Sequence, residues 1–184
     1  MRASMEPVRL ARYDFVEAAG IDALRDDAGA VATYTAHERF ANPNGLPLNP
    51  YGLGPFVRLE LHAQLPPVPG TYRVTRDGDV LYVGETRNLA GRWGRRNYAV
   101  IDPRNCYRGG QSTNCRINNL IGRELSAGNL LALRLYETDE PKVVERDVYR
   151  ALRPPVEPPC ALNCFGATVA ATAVGTRTLA TGLF

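Results

Sequence analysis

The sequence predicts an α+β fold, a small three-stranded antiparallel sheet with flanking helices, preceded by an N-terminal arm. Three observations predict it. A run of alternating β-branched and aromatic residues folds back on itself at an Asp-Gly turn. Two later segments carry apolar residues at helical spacing, and a short apolar run separates them. The resulting order, strand, strand, helix, helix, strand, helix, fits helices laid on an antiparallel sheet.

Residues 1–67 differ in pattern from the rest of the chain and are expected to form the arm, for dimerisation or DNA contact. Within it, residues 14–25 are expected to be a helix, with Phe15, Ala18, Ala19 and Leu24 on an uneven apolar face. The turn signals Asn42-Pro43-Asn44-Gly45 and Pro47-Leu48-Asn49-Pro50 leave little room for regular structure. Residues 57–65 alternate well enough for one strand. Pro66-Pro67-Val68-Pro69 then punctuates the chain, and the main domain is expected over residues 68–166.

That domain opens with strands over 70–75 and 80–83, joined at Asp77-Gly78. Asn88 can cap a short helix through Leu89, Arg92, Trp93 and Arg96. Residues 98–113 are polar and glycine-rich, as a loop would be. A second helix is expected over 114–127, with Ile117, Leu120, Ile121 and Leu125 at helical spacing. A third strand comes next over 129–136, then a helix over 140–152 with Pro141 in its first turn and Val144, Val148 and Leu152 on one face. Pro154-Pro155 ends that helix. The tail, 167–184, is β-branched and suits an edge strand or hairpin.

Composition sets bounds on function. Of 184 residues, 45% are hydrophobic and 22% charged, so the chain can bury a core and is not a disordered polymer. No apolar run reaches the roughly 20 residues of a membrane helix. The first fifteen residues carry charges and no continuous apolar stretch, so a cytoplasmic location with no membrane partner is expected. The four cysteines, Cys106, Cys115, Cys160 and Cys164, are spaced unlike paired zinc knuckles, and reduced thiols are expected over zinc ligands or disulfides.

The net charge is only +3, yet Lys142 is the lone lysine among 22 basic residues. Coding bias accounts for such a skew, but guanidinium is also the better bidentate partner of phosphate. Between Glu85 and Arg123 lie eight arginines (Arg87, Arg92, Arg95, Arg96, Arg104, Arg108, Arg116 and Arg123) against two acids, Glu85 and Asp102. This local excess suits the electrostatic footprint of a polyanion-binding surface, and a merely solvated face is the alternative until a motif decides.

Tyr72 and Tyr82 fall near one another on the two strands of the hairpin, and Gly84 allows a close approach to the backbone. Arg92 follows ten residues after Tyr82. A cation beside two phenols can hold a phosphate and help deprotonate a water. On these residues alone, two core tyrosines and a surface arginine are the commoner outcome.

The ordered set Gly70-Thr71-Tyr72, Tyr82-Val83-Gly84 and Thr86-x-Asn88-Leu89-x-x-Arg92-Trp93 closely resembles the opening of the GIY-YIG nuclease domain. Thr71 and Val83 depart from the triplets that name the family. The likeness covers residues 68–164, about half the chain. The family also carries a glutamate on a later helix and an asparagine in a loop beyond it; Glu145 and Asn163 match these positions. Many members place a histidine one turn after the arginine, where this chain has Arg96, and its only histidines are His37 and His62 in the arm.

The resemblance implies hydrolysis of DNA phosphodiesters with one Mg²⁺ or Mn²⁺. Glu145 would ligate the metal, which stabilises charge on the phosphorane and leaving oxygen. Arg92 would clamp the scissile phosphate. Tyr72 would take the proton of the attacking water, with Tyr82 as its partner or replacement, and Asn163 would orient water or phosphate. A phenol with its ordinary pKa near 10 is a poor base at neutral pH, so Arg92 and the metal would have to lower it. Arg87, Arg95, Arg96, Arg104, Arg108 and Arg116 are expected on the DNA backbone, and Gln111 and Asn114 at base edges.

Restriction-type cleavage of double-stranded DNA is the leading expectation, and cutting both strands calls for two active sites and hence a homodimer. The alternatives are a structure-specific repair nuclease, a toxin-like nuclease, or a catalytically inactive nucleic-acid-binding module.

Overall fold

The computed structural model of the chain describes residues 8–152. Asn163, Cys160, Cys164, the proline-rich loop and the tail lie outside the described residues. Among the described residues the architecture is mixed α and β, with three α-helices and an antiparallel sheet of six strands rather than the three expected.

The extra strands come from the N-terminal segment. Residues 14–25, expected as a helix, instead run as the long strand β2 (Tyr13–Ala23). It pairs with β1 (Val8–Leu10) at one end and with β5 (Leu59–Leu61) at the other. Its middle pairs with β8 (Leu131–Glu137), with a register shift between Glu17 and Ala19. That shift is the physical reason a strand carries a helix-like pattern. Tyr13 and Phe15 are buried in one apolar cluster, whereas Ala19, Ile21 and Ala23 are buried in another. A bulge inserts one residue and reverses which face the subsequent side chains address. The interrupted alternation, with Glu17-Ala18-Ala19 inside it, then mimics a helical spacing.

Residues 57–65 are likewise not one strand. Phe56–Val57 forms β4, paired with β3 (Thr33–Tyr34) in a separate two-stranded sheet, and the chain then turns into β5. The hairpin is as expected: β6 (Gly70–Arg76) and β7 (Asp79–Thr86) pair antiparallel around Asp77 and Gly78, both at positive φ. The central order is β2-β8-β6-β7, which leaves β7 at the edge.

Helices cover both faces. On one, α1 (Leu89–Trp93) and α2 (Ser112–Ser126) close over Tyr72, Val74, Leu133 and Leu135 through Leu89, Trp93, Ile117 and Ile121. On the other, α3 (Pro141–Leu152) packs Val144 and Val148 on Phe15 and Val83. The Asn88 side chain caps α1 by accepting from the Gly91 N–H at 2.7 Å, as its position predicts. Asn118, fully buried in α2, accepts from Val57 N–H and donates to the carbonyls of Val57 and Tyr98. One amide thereby fastens the N-terminal segment and the loop after α1 to the same helix.

Candidate functional site

The hairpin register puts Tyr72 opposite Gly84 and Val74 opposite Tyr82, so the two tyrosines are diagonal neighbours on one face. Their ring centres are 6.1 Å apart. Gly84 is what admits them: a Cβ there would stand 2.6 Å from the Tyr72 hydroxyl and 2.9 Å from the Tyr82 ring. The group that approaches the glycine backbone is therefore Tyr72 itself.

A third phenol completes the cluster. Tyr98, from the loop after α1, shares a 2.8 Å hydrogen bond between its hydroxyl and that of Tyr72. Trp93 wedges edge-on against both rings, at 5.6 Å from Tyr72 and 5.3 Å from Tyr98. Arg92 lies with its guanidinium 5.6 Å from the Tyr98 ring centre, and Arg116 of α2 lies 5.9 Å from that of Tyr82. These are cation–π distances, and they bring two cations to the rim of the phenol cluster.

Tyr72 and Tyr98 are both about 1% exposed, whereas Tyr82 keeps partial access to solvent. Burial, with the neighbouring phenols adding to it, pushes Tyr72 well above the ordinary range; Arg92 pulls the other way and does not prevail. Burial also raises Tyr82, helped by Tyr98, Tyr149 and the charge of Glu145. Arg92 alone thus does not supply the lowered phenol pKa that a tyrosine base requires.

Glu145 stands on α3, whose apolar stripe packs on the opposite face of the sheet, but it reaches the edge at β7. It is close enough to raise both Tyr82 and Tyr149 electrostatically. Its own carboxyl is pushed up to about 7, chiefly by burial and then by Glu85 of β7, with Lys142 opposing. Tyr149 donates to the Val83 carbonyl at 2.7 Å and is pushed up to about 12 by burial and by Glu145. Tyr72 and Tyr82 are thus in ring contact, Arg92 touches the cluster at Tyr98, and Glu145 acts on it through Tyr82.

Among the arginines expected on DNA, Arg87, Arg95, Arg96 and Arg108 are exposed, while Arg104 and Arg116 are half-buried. Arg104 donates to the Arg108 carbonyl and lies 5.8 Å from the Phe40 ring. Asn114 is fully buried and spends its amide on Asn97 and Gln111, so it cannot reach a base edge as expected; Gln111 remains exposed. Cys106 and Cys115 are buried free thiols in contact with each other, in an apolar cluster with Phe56 and Ile101. Among the described residues no group of three His, Cys, Asp or Glu side chains is placed to hold a metal ion.

Sequence reasoning missed Tyr98, Tyr149 and the roles of Arg116 and Glu85. Tyr98 carried one weak signal, an aromatic residue six positions after Arg92 in an otherwise polar stretch. The chain matches no family model, no curated protein sequence and no solved structure.

Proposed function

We propose that the chain is a divalent-metal-dependent DNA endonuclease of GIY-YIG type, cutting double-stranded DNA as a restriction-type enzyme does. What supports this reading is the ring contact of Tyr72 with Tyr82, with Arg92 at the rim of the same cluster against Tyr98 and the Glu145 carboxyl close enough to act on Tyr82. The β7-β6-β8 portion of the sheet, with α1 and α2 on one face and α3 on the other, supports it as the framework of such a domain.

The donor set fits a hard dication. Two carboxylates, Glu85 and Glu145, repel each other in a half-buried setting, and burial of Glu145 adds to the cost of its charge. A cation there relieves both penalties, and Mg²⁺ needs only one or two carboxylates because it keeps waters and phosphate oxygens. When bound, the metal supplies Lewis-acid stabilisation of the charge that develops on the reacting phosphate.

The chain's own residues do the rest. Arg92, held flat by its contact with Tyr98, binds a phosphate oxygen and needs little further ordering to do so. Arg116 flanks the phosphate on the Tyr82 side. Tyr72 and Tyr82 remain protonated at neutral pH in this setting, so the partly accessible Tyr82 hydroxyl orients the attacking water and donates to a phosphate oxygen, while the enclosed Tyr72, bonded to Tyr98, holds the Tyr82 ring in place. Tyr82, the phenol that keeps solvent access, is better placed than Tyr72 to exchange a proton with that water.

The test is incubation of the purified chain with supercoiled plasmid, with and without Mg²⁺ and alongside Glu145→Gln. Discrete linear fragments that need both the metal and Glu145 are expected. Nicks or flap cuts would instead favour a repair nuclease and smears a toxin-like one. Binding without cleavage under all metals would make the chain a non-catalytic nucleic-acid module.

A further inference from the structure

The N-terminal segment and the loop after α1 enclose a pocket of about 290 Å³, lined by Tyr34, Arg39, Arg95, Arg96 and Asp102 among others. Its volume is at the small end of the range for ligand sites, near 300 Å³. Arg39, Arg95 and Arg96 against the single carboxylate of Asp102 leave it strongly positive. Arg39 and Arg58 lie 5.6 and 5.8 Å from the centre of the same Tyr34 ring. Among the described residues none of these four arginines makes an ion pair. Three guanidiniums lining one small pocket with a single carboxylate among them repel one another, and an anion held in the pocket would offset that penalty.

The backbone adds an independent sign. Arg96 is held at φ 68°, in the left-handed region that a bulky side chain adopts at a cost. Glycine would suit that position better, and yet an exposed arginine occupies it. The Tyr34 hydroxyl accepts from the Ile101 N–H at 2.8 Å, which locks the two walls together. The same short loop sends Tyr98 into the phenol cluster, so the pocket lies next to the candidate site on the chain.

We infer that this pocket is a second anion subsite, which holds a backbone phosphate of the DNA strand away from the phosphate bound by Arg92. The inference rests on the nuclease reading, and it gives the N-terminal segment a part in substrate binding. A sugar-phosphate contact of this kind positions the duplex and carries no sequence choice.

Binding of a fluorescent 20-base-pair duplex to the full chain, followed by anisotropy in EDTA from about 50 to 200 mM salt, tests it. Arg39→Gln and Arg96→Gln are each expected to weaken binding several-fold and to reduce the salt slope by about one. Arg150→Gln, on α3, should change neither and controls for net charge. Arg96→Gly should raise the melting midpoint by about 2 °C by relieving the backbone, and should still weaken binding. A parallel titration with adenosine monophosphate and with inorganic phosphate separates a free nucleotide from a DNA phosphate. If wild type binds the duplex and R39Q, R96Q and R96G bind it equally well, the subsite is overturned while the nuclease reading stands. Loss of mononucleotide binding alone in these variants would overturn the subsite in the same way. If wild type fails to bind the duplex at all, the nuclease reading falls and the subsite with it.

Discussion

The two faces of the β6–β7 hairpin solve opposite problems. On the face under α1 and α2, three phenols and Trp93 pack together, with Tyr72 and Tyr98 enclosed and sharing a hydroxyl–hydroxyl hydrogen bond while Tyr82 stays partly open to solvent. On the face under α3, Arg73 is 2% exposed, lies 5.0 Å from the Phe15 ring, and faces Arg134 directly across the ladder. Burial and the charge of Arg134 lower the Arg73 guanidinium to about 10. Arg134 in turn bonds Glu17 at 2.7 Å. The first face holds buried phenols neutral, and the second carries two facing guanidiniums, one of them paired with Glu17. Along edge strand β7 the two faces meet: Glu145 lies near Glu85 and Tyr82, and Arg116 lies against the Tyr82 ring, and this is where the proposed chemistry would take place.

Substitutions at the edge should therefore act on rate and substitutions inside the faces on stability. Glu145→Gln gives the largest effect. Its cleavage rate in Mg²⁺ under single-turnover conditions is expected to fall by at least about 10²-fold, with no loss of thermal stability because a strained carboxylate has been removed. Undiminished cleavage would take Glu145 out of the site and leave the edge without a metal ligand.

Gly84→Ala should reverse the pattern. The added methyl collides with Tyr72, whose ring cannot retreat from Trp93 and Tyr98, so destabilisation of about 1–3 kcal/mol is expected from urea unfolding. A variant as stable as wild type would mean that the phenol cluster is looser than its contacts imply. Tyr98→Phe is gentler. It removes the partner of the buried Tyr72 hydroxyl and should cost about 1 kcal/mol. In a double-mutant cycle with Tyr72→Phe, the two losses should couple rather than add; additive losses would show that the hydroxyl pair contributes nothing.

The same contrast governs what could be read from the sequence. The hairpin was legible because turn chemistry and alternation agree there, at Asp77-Gly78 and over Val80 to Val83. The helices α2 and α3 were legible from Ile117, Ile121, Val144 and Val148, since each covers one face of the sheet. Strand β2 was not, because its bulge moves its apolar residues from the α3 face to the α2 face halfway along. The pair Tyr72 and Tyr82 followed from the register, whereas Tyr98 follows from a loop held by Asn118, a contact 20 positions away that no local pattern encodes. Burial also bears on what the motif alone left open. A tyrosine at the position of Tyr72 reads equally well as a base or as core, and its enclosure with a raised pKa weighs against the first.

The smallest effect, and the most diagnostic of the edge, is the pH dependence of stability. Burial and Glu85 raise the Glu145 carboxyl from 4.5 in the unfolded chain to about 7. The folded chain then holds a proton that the unfolded chain has released, so stability falls as pH rises between those values. The contribution is complete below about pH 4.5 and lost above about pH 7. Partial solvent access reduces it to about 1 kcal/mol. Other groups titrate in the same window, so the quantity to measure is the difference between wild type and Glu145→Gln in urea midpoints from about pH 4.5 to about pH 8. That difference should favour the variant increasingly toward the alkaline end. Adding Mg²⁺ there should narrow it by stabilising wild type alone, since a dication bound at the carboxylate stabilises only the folded, ionised form. A difference that stays constant across this range would show that Glu145 titrates as an ordinary surface carboxylate, and the edge would lose its distinction from the rest of the surface.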